Sequence, residues 1–358
     1  MTIEYILITL KKMLHLKSFI LLTLMTVTHV FGTDNIGKLI ITGFHGTSKS
    51  DSTVQQIKQH IDNHTIGGVI LYNRNIQNKS QLQSLINYIT ADTNALITID
   101  HEGGNVNRLT DSSFKLNTPS AEIFCKLPTE KQQQIAQKTA HNLKEIGINV
   151  NFGGVADIQP IIQESSVCKS KRCYSDNTST LVDCLKHHSN AHTENNIIYT
   201  IKHFPGISFS EMDSHISLPD ITKNHSPINY MPYHILNKNN QLQMVMVGHV
   251  LNKNIDEKFP SSLSKKTINY LTNIIQYNGL IITDDLKMGA LNQFNDINQI
   301  SLQALRAGNH LLLFEQLNSN EITSINKTLN NNLNKDPELK HHIKKSITMI
   351  DKVLNNFL

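Results

Sequence analysis

Short apolar runs recur along the chain, and each is nearly continuous in Ile, Val and Leu instead of alternating with polar residues. Continuous apolar runs of this length are typical of parallel strands that are covered on both faces. The pattern predicts strands at 38–44, 67–72, 95–100, 148–153, 197–204, 244–250, 279–285 and 310–314.

Polar segments with helical periodicity separate these runs. Examples are 79–90 and 130–147, and Gly147 is expected to cap the second of them. We expect the segment 264–279 to end in the same way, at its terminal glycine, and 320–358 to form helix on the outside of the fold. Repeated strand–helix units predict a single α/β domain over 33–358, a TIM-type (β/α)8 barrel. A doubly wound open sheet is the alternative.

The first 32 residues differ in character from the rest of the chain. Three lysines precede the apolar stretch "SFILLTLMTVTHVFG", which is the pattern of a secretory signal peptide cleaved after Gly32, with Met13 as an alternative start. A membrane anchor is the alternative, although the run is shorter than the ~20 residues that span a bilayer. We expect an exported protein, periplasmic or secreted, with no stable membrane span after processing; a cytoplasmic location is the alternative.

Composition narrows the function classes. With 39% hydrophobic and 17% charged residues, the chain is typical of a globular protein. A net charge of +4 without a basic tract does not indicate a nucleic-acid partner. The spacing of His and Cys predicts no metal site and the chain has no phosphate loop, so we expect no cofactor. We also expect a monomer.

The chain contains four cysteines, Cys125, Cys168, Cys173 and Cys184. Cys168 and Cys173 bracket "KSKR", a spacing that a loop could close into a disulfide in an oxidising compartment. Four free thiols remain an equal alternative at this point.

Charged and imidazole side chains follow five of the predicted strands. In a barrel such residues converge at the carboxyl ends of the strands, where active sites lie. They are Asp100, Asp157, Lys202, His203, His249, Asp284 and Asp285. The loop "KHFPGISFSEMDSHISLP" adds Asp213 two residues before His215. A carboxylate facing a His–Asp pair suits covalent catalysis with imidazole acid/base chemistry.

Six motifs occur together in a fixed order over 38–315. They are "GGVILYNRNIQNKSQLQSLI", "ITIDHEGGNVNRL", "KHFPG", "DSH", "MVMVGHV" and "IITDDLKMGAL". This order resembles glycoside hydrolase family 3, and within it the single-domain bacterial β-N-acetylglucosaminidases of peptidoglycan turnover. The resemblance implies a TIM-like barrel that removes terminal, non-reducing N-acetylglucosamine from muropeptides or related glycans through a covalent glycosyl-enzyme, with retention of configuration.

The resemblance also implies residue roles. Asp284 matches the nucleophile, His215 the acid/base and Asp213 the residue that orients it, while Asp285 is a structural neighbour. The implied substrate-binding residues are Asp100, Arg108, Arg172, Lys202, His203 and His249.

The chain departs from the family pattern at several positions. Ile207 and Ser208 stand where the family usually reads "HFPGHG", and His101 and Asn105 replace the residues of "DQEGGRV". An imidazole acid/base repels anions less than a carboxylate does, so an N-acetylglucosaminide phosphorylase at the same site is one alternative. A catalytically inactive glycan-binding barrel and a broader β-glucosidase are the others.

Overall fold

Eight parallel strands close into a barrel in the order in which they occur in the chain. The ring closes where the first strand pairs with the last, with Ile40 opposite Leu312. The strands are β1 (Ile40–Thr42), β2 (Gly68–Leu71), β3 (Leu96–Ile99), β4 (Val150–Val155), β5 (Ile198–Phe204), β6 (Met244–Val247), β7 (Leu280–Asp285) and β8 (Leu311–Phe314). Seven of the strands lie within a predicted run, and β4 begins within its run but extends two residues beyond it, to Val155. The predicted barrel is confirmed and the open sheet is not formed.

Helices separate the strands and surround the barrel. The α-helices are α1 (Ser52–Asp62), α2 (Lys79–Ile89), α3 (Ala121–Cys125), α4 (Thr129–Ile146), α5 (Thr178–Glu194), α6 (Met231–Lys238), α7 (Lys265–Asn269), α8 (Ile297–Ala307), α9 (Ser319–Leu333) and α10 (Pro337–Phe357). A π-helical turn, Tyr270–Ile274, follows α7. Short 3₁₀ helices are Thr33–Leu39, Asn73–Asn75, Ser112–Phe114, Cys168–Ser170, Pro227–Tyr230, Ser261–Leu263 and Gly289–Phe294.

The computed structural model describes residues 33–160, 165–210, 212–294 and 296–357. The predicted signal peptide lies outside these residues. Ile36–Leu358 forms one compact unit. None of the described helices combines the length and apolar character that crossing a membrane requires.

The strands are apolar because both of their faces are covered. Every residue of β2, β3, β4 and β5 is buried. β7 is buried until its last two residues, Asp284 and Asp285, which are partly exposed. The apolar sequence of β7 therefore ends where the strand reaches the rim of the barrel.

Local sequence signals set several helix ends. The Asn78 and Asn177 side chains accept hydrogen bonds from the first turns of α2 and α5. Gly147 caps α4 at a φ of 99°, as predicted. The predicted cap at Gly279 is wrong, because the helix ends near Ile275. Gly279 instead leaves room for Tyr277, whose hydroxyl oxygen would lie 2.4 Å from a Cβ at position 279.

The C-terminal helices pack on the outside of the barrel, as expected. Leu339, Ile343 and Ile350 of α10 are buried in the same apolar core as the strands. Lys38, just before β1, forms an ion pair with Asp351 at 2.7 Å. These contacts join the end of the described chain to the start of the barrel.

Two disulfides are present. Cys168 pairs with Cys173 in the loop after β4, which is the pairing that the sequence left open. Cys125 pairs with Cys184 and joins α3 to α5. The alternative of four free thiols is therefore not what the structure shows.

Candidate active site

A cavity of about 520 Å³ opens at the carboxyl ends of the strands. Its charged and imidazole lining residues are Asp100, Glu102, Arg108, Arg172, Lys202, His203, Asp213, His215, Asp284, Asp285, Lys287 and Glu315. All three predicted catalytic residues and five of the six predicted substrate-binding residues are in this set. The structure therefore brings together residues that are far apart in sequence.

An ion-pair network forms one wall of the cavity. The Lys202 ammonium, at the end of β5, lies 2.8 Å from an Asp100 oxygen and 2.7 Å from Glu102 Oε1. Arg172, from the loop after β4, donates two hydrogen bonds to the Glu102 carboxylate, at 2.8 and 2.9 Å. Because two cations face two carboxylates, the buried charges of the network are balanced.

Glu102 is the centre of this network and is buried. Burial alone would raise the pKa of its carboxyl group, but Lys202 and Arg172 lower it to about 2. Burial opposes the charge of Lys202, yet the carboxylates of Asp100 and Glu102 raise the pKa of the ammonium above its ordinary value. Glu102 and Lys202 are therefore charged at neutral pH.

Arg108 lies beside Asp100 at the wall of the cavity. Its Nη2 is 3.9 Å from Asp100 Oδ2, and its guanidinium stands 5.8 Å from the centre of the Tyr72 ring. Its Nε is buried without a hydrogen-bond partner. The side chain therefore retains donor capacity at the wall of the cavity.

His203 is held by a second carboxylate beneath the cavity. Asp157 Oδ2 accepts a hydrogen bond from His203 Nδ1 at 2.7 Å, and Oδ1 accepts one from the Ile207 N–H at 2.7 Å. Asp157 is fully buried. It therefore fixes both the His203 tautomer and the start of the loop that leads to His215.

Asp284 lies at the end of β7 and lines the cavity. Burial favours its protonated form, but the neighbouring His203 ring, the Asp285 N–H at 2.9 Å and the Lys202 ammonium together hold the pKa of the carboxyl group below its ordinary value. Asp284 is therefore an ionised carboxylate that faces the cavity, as a nucleophile must be.

Asp285 has a different environment from its neighbour. Its Oδ1 accepts hydrogen bonds from the N–H groups of Lys287 and Glu315, at 3.0 and 2.8 Å. Burial raises its pKa to about 6, and the adjacent Asp284 charge adds to this rise. The donors to its Oδ1 atom are thus backbone groups of the rim.

His249 requires a correction, because we predicted it as a substrate-binding residue. It is fully buried and does not line the cavity. Its Nε2 donates to the Asp285 carbonyl at 2.8 Å, and its Nδ1 accepts from the Ser262 hydroxyl at 2.7 Å. Burial lowers its pKa, so the ring is neutral. His249 therefore supports the end of β7 from behind the cavity.

The Asp213–His215 pair lies at the rim of the cavity, on the loop after β5. Asp213 Oδ1 accepts from both Nδ1 and the backbone N–H of His215, at 2.7 and 2.9 Å. Burial works against the Asp213 charge, but these two hydrogen bonds lower its pKa. The His215 side chain is 72% exposed. Since His215 Nδ1 is hydrogen-bonded to Asp213, His215 Nε2 is the nitrogen available for proton transfer.

A larger cavity, of about 690 Å³, lies at the opposite end of the barrel, beside the starts of β7 and β8. Four of its charged lining residues form ion pairs with each other, Lys265 with Glu338 and Arg306 with Asp336. Barrel active sites lie at the carboxyl ends of the strands. We therefore assign the chemistry to the smaller cavity.

Two residues of the site were missed in the sequence. In the sequence Glu102 is one residue of the "DHEGG" motif, and Asp157 follows a predicted strand, but neither position by itself indicates a role. Both are buried acids whose partners are distant in sequence, Arg172 for Glu102 and His203 for Asp157. A weak signal was available, since an acid that directly follows a barrel strand lies near the rim.

The geometry can be compared with known proteins. A family model described as "Glycosyl hydrolase family 3 N terminal domain" matches residues 33–351. The chain belongs to glycosyl hydrolase family 3. It is a glycosidase, an enzyme that hydrolyses glycosidic bonds, and the family predicted from the motifs is confirmed.

Curated relatives in this family are named "Beta-hexosaminidase". The protein of Methylobacillus flagellatus is 27% identical over 284 residues, which are 75% of this chain and 77% of the relative. That of Idiomarina loihiensis is 29% identical over 259 residues, or 69% of this chain and 76% of the relative.

Solved structures of the family share the barrel. A glycoside hydrolase family 3 β-N-acetylglucosaminidase from Paenibacillus sp. str. FPU-7 superposes with a TM-score of 0.80 at 24% identity, over 91% of this chain and 62% of that one. A β-N-acetylhexosaminidase from Beutenbergia cavernae gives 0.81 at 17% identity, over 91% of this chain and 99% of that one. At these identities the likeness shows the fold.

Proposed function

We propose that this family 3 glycosidase is a retaining exo-β-N-acetylglucosaminidase that acts on peptidoglycan fragments or related glycans. One observation carries the proposal: an ionised Asp284 and the Asp213–His215 pair line the same cavity. The names of the curated relatives support the choice of a hexosamine as the sugar.

In the first step, an Asp284 oxygen attacks the anomeric carbon while the bond to the leaving oxygen breaks. The protonated His215 gives its Nε2 proton to that oxygen and becomes neutral. The transition state is positively charged at the sugar ring, so the Asp284 carboxylate stabilises it before the covalent bond forms. Asp213 stabilises the imidazolium that this step requires.

In the second step, water attacks the anomeric carbon of the glycosyl-enzyme and passes a proton to His215 Nε2. The bond to Asp284 breaks and the carboxylate is restored. Two displacements at one carbon return the original configuration. Asp100, Arg108, Arg172, Lys202 and His203 line the cavity as groups that bind the sugar hydroxyls and acetamide.

The Asp284→Asn variant tests the nucleophile. We expect an intact fold and a loss of at least about a thousandfold in release of 4-nitrophenol from its β-N-acetylglucosaminide, because the amide cannot form the covalent ester. Asp220→Asn, at an exposed aspartate of the loop after β5 that does not line the cavity, is the matched control and should retain wild-type turnover. Near wild-type activity in Asp284→Asn would refute the assignment.

Product analysis tests the rest of the proposal. Proton NMR should show the β-anomer of N-acetylglucosamine as the first product, and the matching glucoside should be a poor substrate. Appearance of a sugar phosphate in phosphate buffer would identify a phosphorylase instead. Glycan binding by calorimetry without turnover would identify an inactive binding barrel.

We also propose that the protein is exported. The basic and apolar pattern of the first 32 residues supports this, and so do two disulfides, which persist in oxidising compartments. Cell fractionation with an antibody against the barrel tests it, and recovery only in the cytosolic fraction, with reduced thiols, would contradict it.

A further inference from the structure

The loop that carries His215 lies directly against Gly289, at the rim above β7. A Cβ at position 289 would be 2.5 Å from the His215 carbonyl oxygen and 2.7 Å from that of Ile216. Gly289 is not among the glycines with positive φ. Its absence of a side chain is therefore required for close approach of two backbones and not for an unusual conformation.

Two backbone hydrogen bonds form the contact. The N–H of Gly289 donates to the His215 carbonyl at 3.2 Å, and the N–H of Ala290 donates to the Ser214 carbonyl at 3.0 Å. Asp213, the side-chain partner of His215, belongs to the same loop. The Asp213–His215 bond therefore orients the ring within the loop, whereas the contact with Gly289 sets where the loop lies.

The other side of this contact is the segment that directly follows the nucleophile in the chain. Gly289 follows Asp284 by five positions, and the intervening turn is held by Asp285, which accepts from the N–H groups of Lys287 and Met288 at 3.0 Å. His249 holds the Asp285 carbonyl from behind. The segment from Asp284 to Gly289 is thus anchored to the barrel, while the loop that rests on it is exposed.

We propose that Gly289 is a positioning residue that sets the distance between the Asp284 nucleophile and the His215 acid/base. The inference rests on the proposed function, since it concerns the two catalytic groups of that reaction. A methyl group at position 289 displaces the exposed partner, and the loop must move by about 1 Å to restore an ordinary contact of 3.4 Å. A misplacement of that size can cost about a hundredfold in rate.

The Gly289→Ala variant tests this through the leaving group. We measure kcat/KM on 4-nitrophenyl β-N-acetylglucosaminide, whose leaving group needs little protonation, and on N,N′-diacetylchitobiose, whose leaving group needs it. We expect roughly a ten- to hundredfold loss on the disaccharide and a loss of less than about threefold on the nitrophenyl substrate. Equal losses on both substrates, or none on either, would overturn the inference.

A double-mutant cycle separates positioning from general damage. If Gly289 acts through His215, Gly289→Ala costs nothing further on the disaccharide in a His215→Ala background. An undiminished loss in that background would show that the methyl disturbs Asp284 or the barrel instead. Wild-type protein without turnover on either substrate would sink the proposed function itself, which is a different outcome.

Two more variants complete the design. Gly43→Ala places a methyl 2.1 Å from the Glu315 carbonyl oxygen, at the rim but away from the His215 loop, and should affect both substrates equally. A disaccharide-selective loss there would count against the inference.

Ile216→Gly makes the His215 loop more flexible where it contacts Gly289. Because Ile216 is 76% exposed, the barrel should fold normally. It should reproduce the selective loss, and wild-type kinetics would contradict the proposal.

Discussion

Glu102 shows how one buried side chain can determine the state of several others. Its carboxylate is bonded to Lys202 and Arg172, two cations that are themselves largely withdrawn from water. A buried cation without a counter-charge is costly, because desolvation is no longer offset by attraction. This wall of the cavity therefore depends on a residue that keeps these two groups charged and in place.

The Glu102→Gln variant keeps the shape of this residue and removes its charge. We expect the free energy of unfolding to fall by about 3 kcal/mol, because the carboxylate that is bonded to both cations is replaced by a neutral amide. We also expect KM to rise. Urea unfolding and steady-state kinetics measure both effects. Glu145→Gln, which breaks the exposed pair with Lys79, is the control and should leave stability close to wild type. Equal stability of the two variants would contradict this account.

At the scale of elements, the described part of the loop after β4 contains the 3₁₀ helix Cys168–Ser170 and a disulfide that closes residues 168–173. Cys168 and Cys173 flank Arg172, and the same loop contributes Ser166, Val167 and Ser170 to the cavity. The Cys125–Cys184 disulfide instead joins two outer helices across 59 positions of sequence. The two bonds therefore differ both in the length of chain they close and in their relation to the cavity.

Removing one disulfide should mainly lower stability, whereas removing the other should mainly raise KM. Loop-closure entropy assigns about 4 kcal/mol to the long Cys125–Cys184 loop and about 2 kcal/mol to the short Cys168–Cys173 loop. We expect the Cys125→Ser/Cys184→Ser variant to lose more stability with unchanged KM. The Cys168→Ser/Cys173→Ser variant should lose less stability but raise KM roughly tenfold, since the loop that carries Arg172 is no longer closed. A shared pattern in both variants would show that neither disulfide positions Arg172.

The elements were the part of the fold that the sequence predicted well. A strand buried on both faces has a continuous apolar sequence, so all eight strands could be located. The end of the helix before β7 could not, because Gly279 is required by the packing of Tyr277 and not by a cap. His249 was misassigned for a similar reason: its position at a strand end predicts the rim, but does not determine which way the ring faces.

At the scale of the whole molecule, the barrel buries several histidines that take no part in the proposed reaction. Burial lowers the pKa of His101 and His192 to about 4 and that of His310 to about 3, and it holds the pKa of His188 well below its ordinary value. The His188 ring stacks on Tyr199 with centroids 5.6 Å apart. These rings are part of the packed core and are neutral in the folded protein.

The neutral histidines make the fold sensitive to acid. Between about pH 6.5 and pH 4 the unfolded chain binds protons that the folded chain does not, so the free energy of unfolding falls as the pH falls, by up to about 1.4 kcal/mol per pH unit for each ring. Asp285 acts in the opposite direction, because its raised pKa lets the folded state take up a proton first. Several histidines outweigh this single carboxyl group, so acid should destabilise the protein.

His188→Phe tests this, because phenylalanine retains the stacking on Tyr199 without a titratable nitrogen. Urea unfolding at about pH 7 and about pH 5.5 should show that the variant loses about 1 kcal/mol less stability than wild type on acidification. His141→Gln, at an exposed histidine of α4, should leave the pH dependence unchanged. An unchanged pH dependence in His188→Phe would mean that this ring does not resist protonation in the folded barrel, and the acid sensitivity would then have to come from the remaining buried histidines.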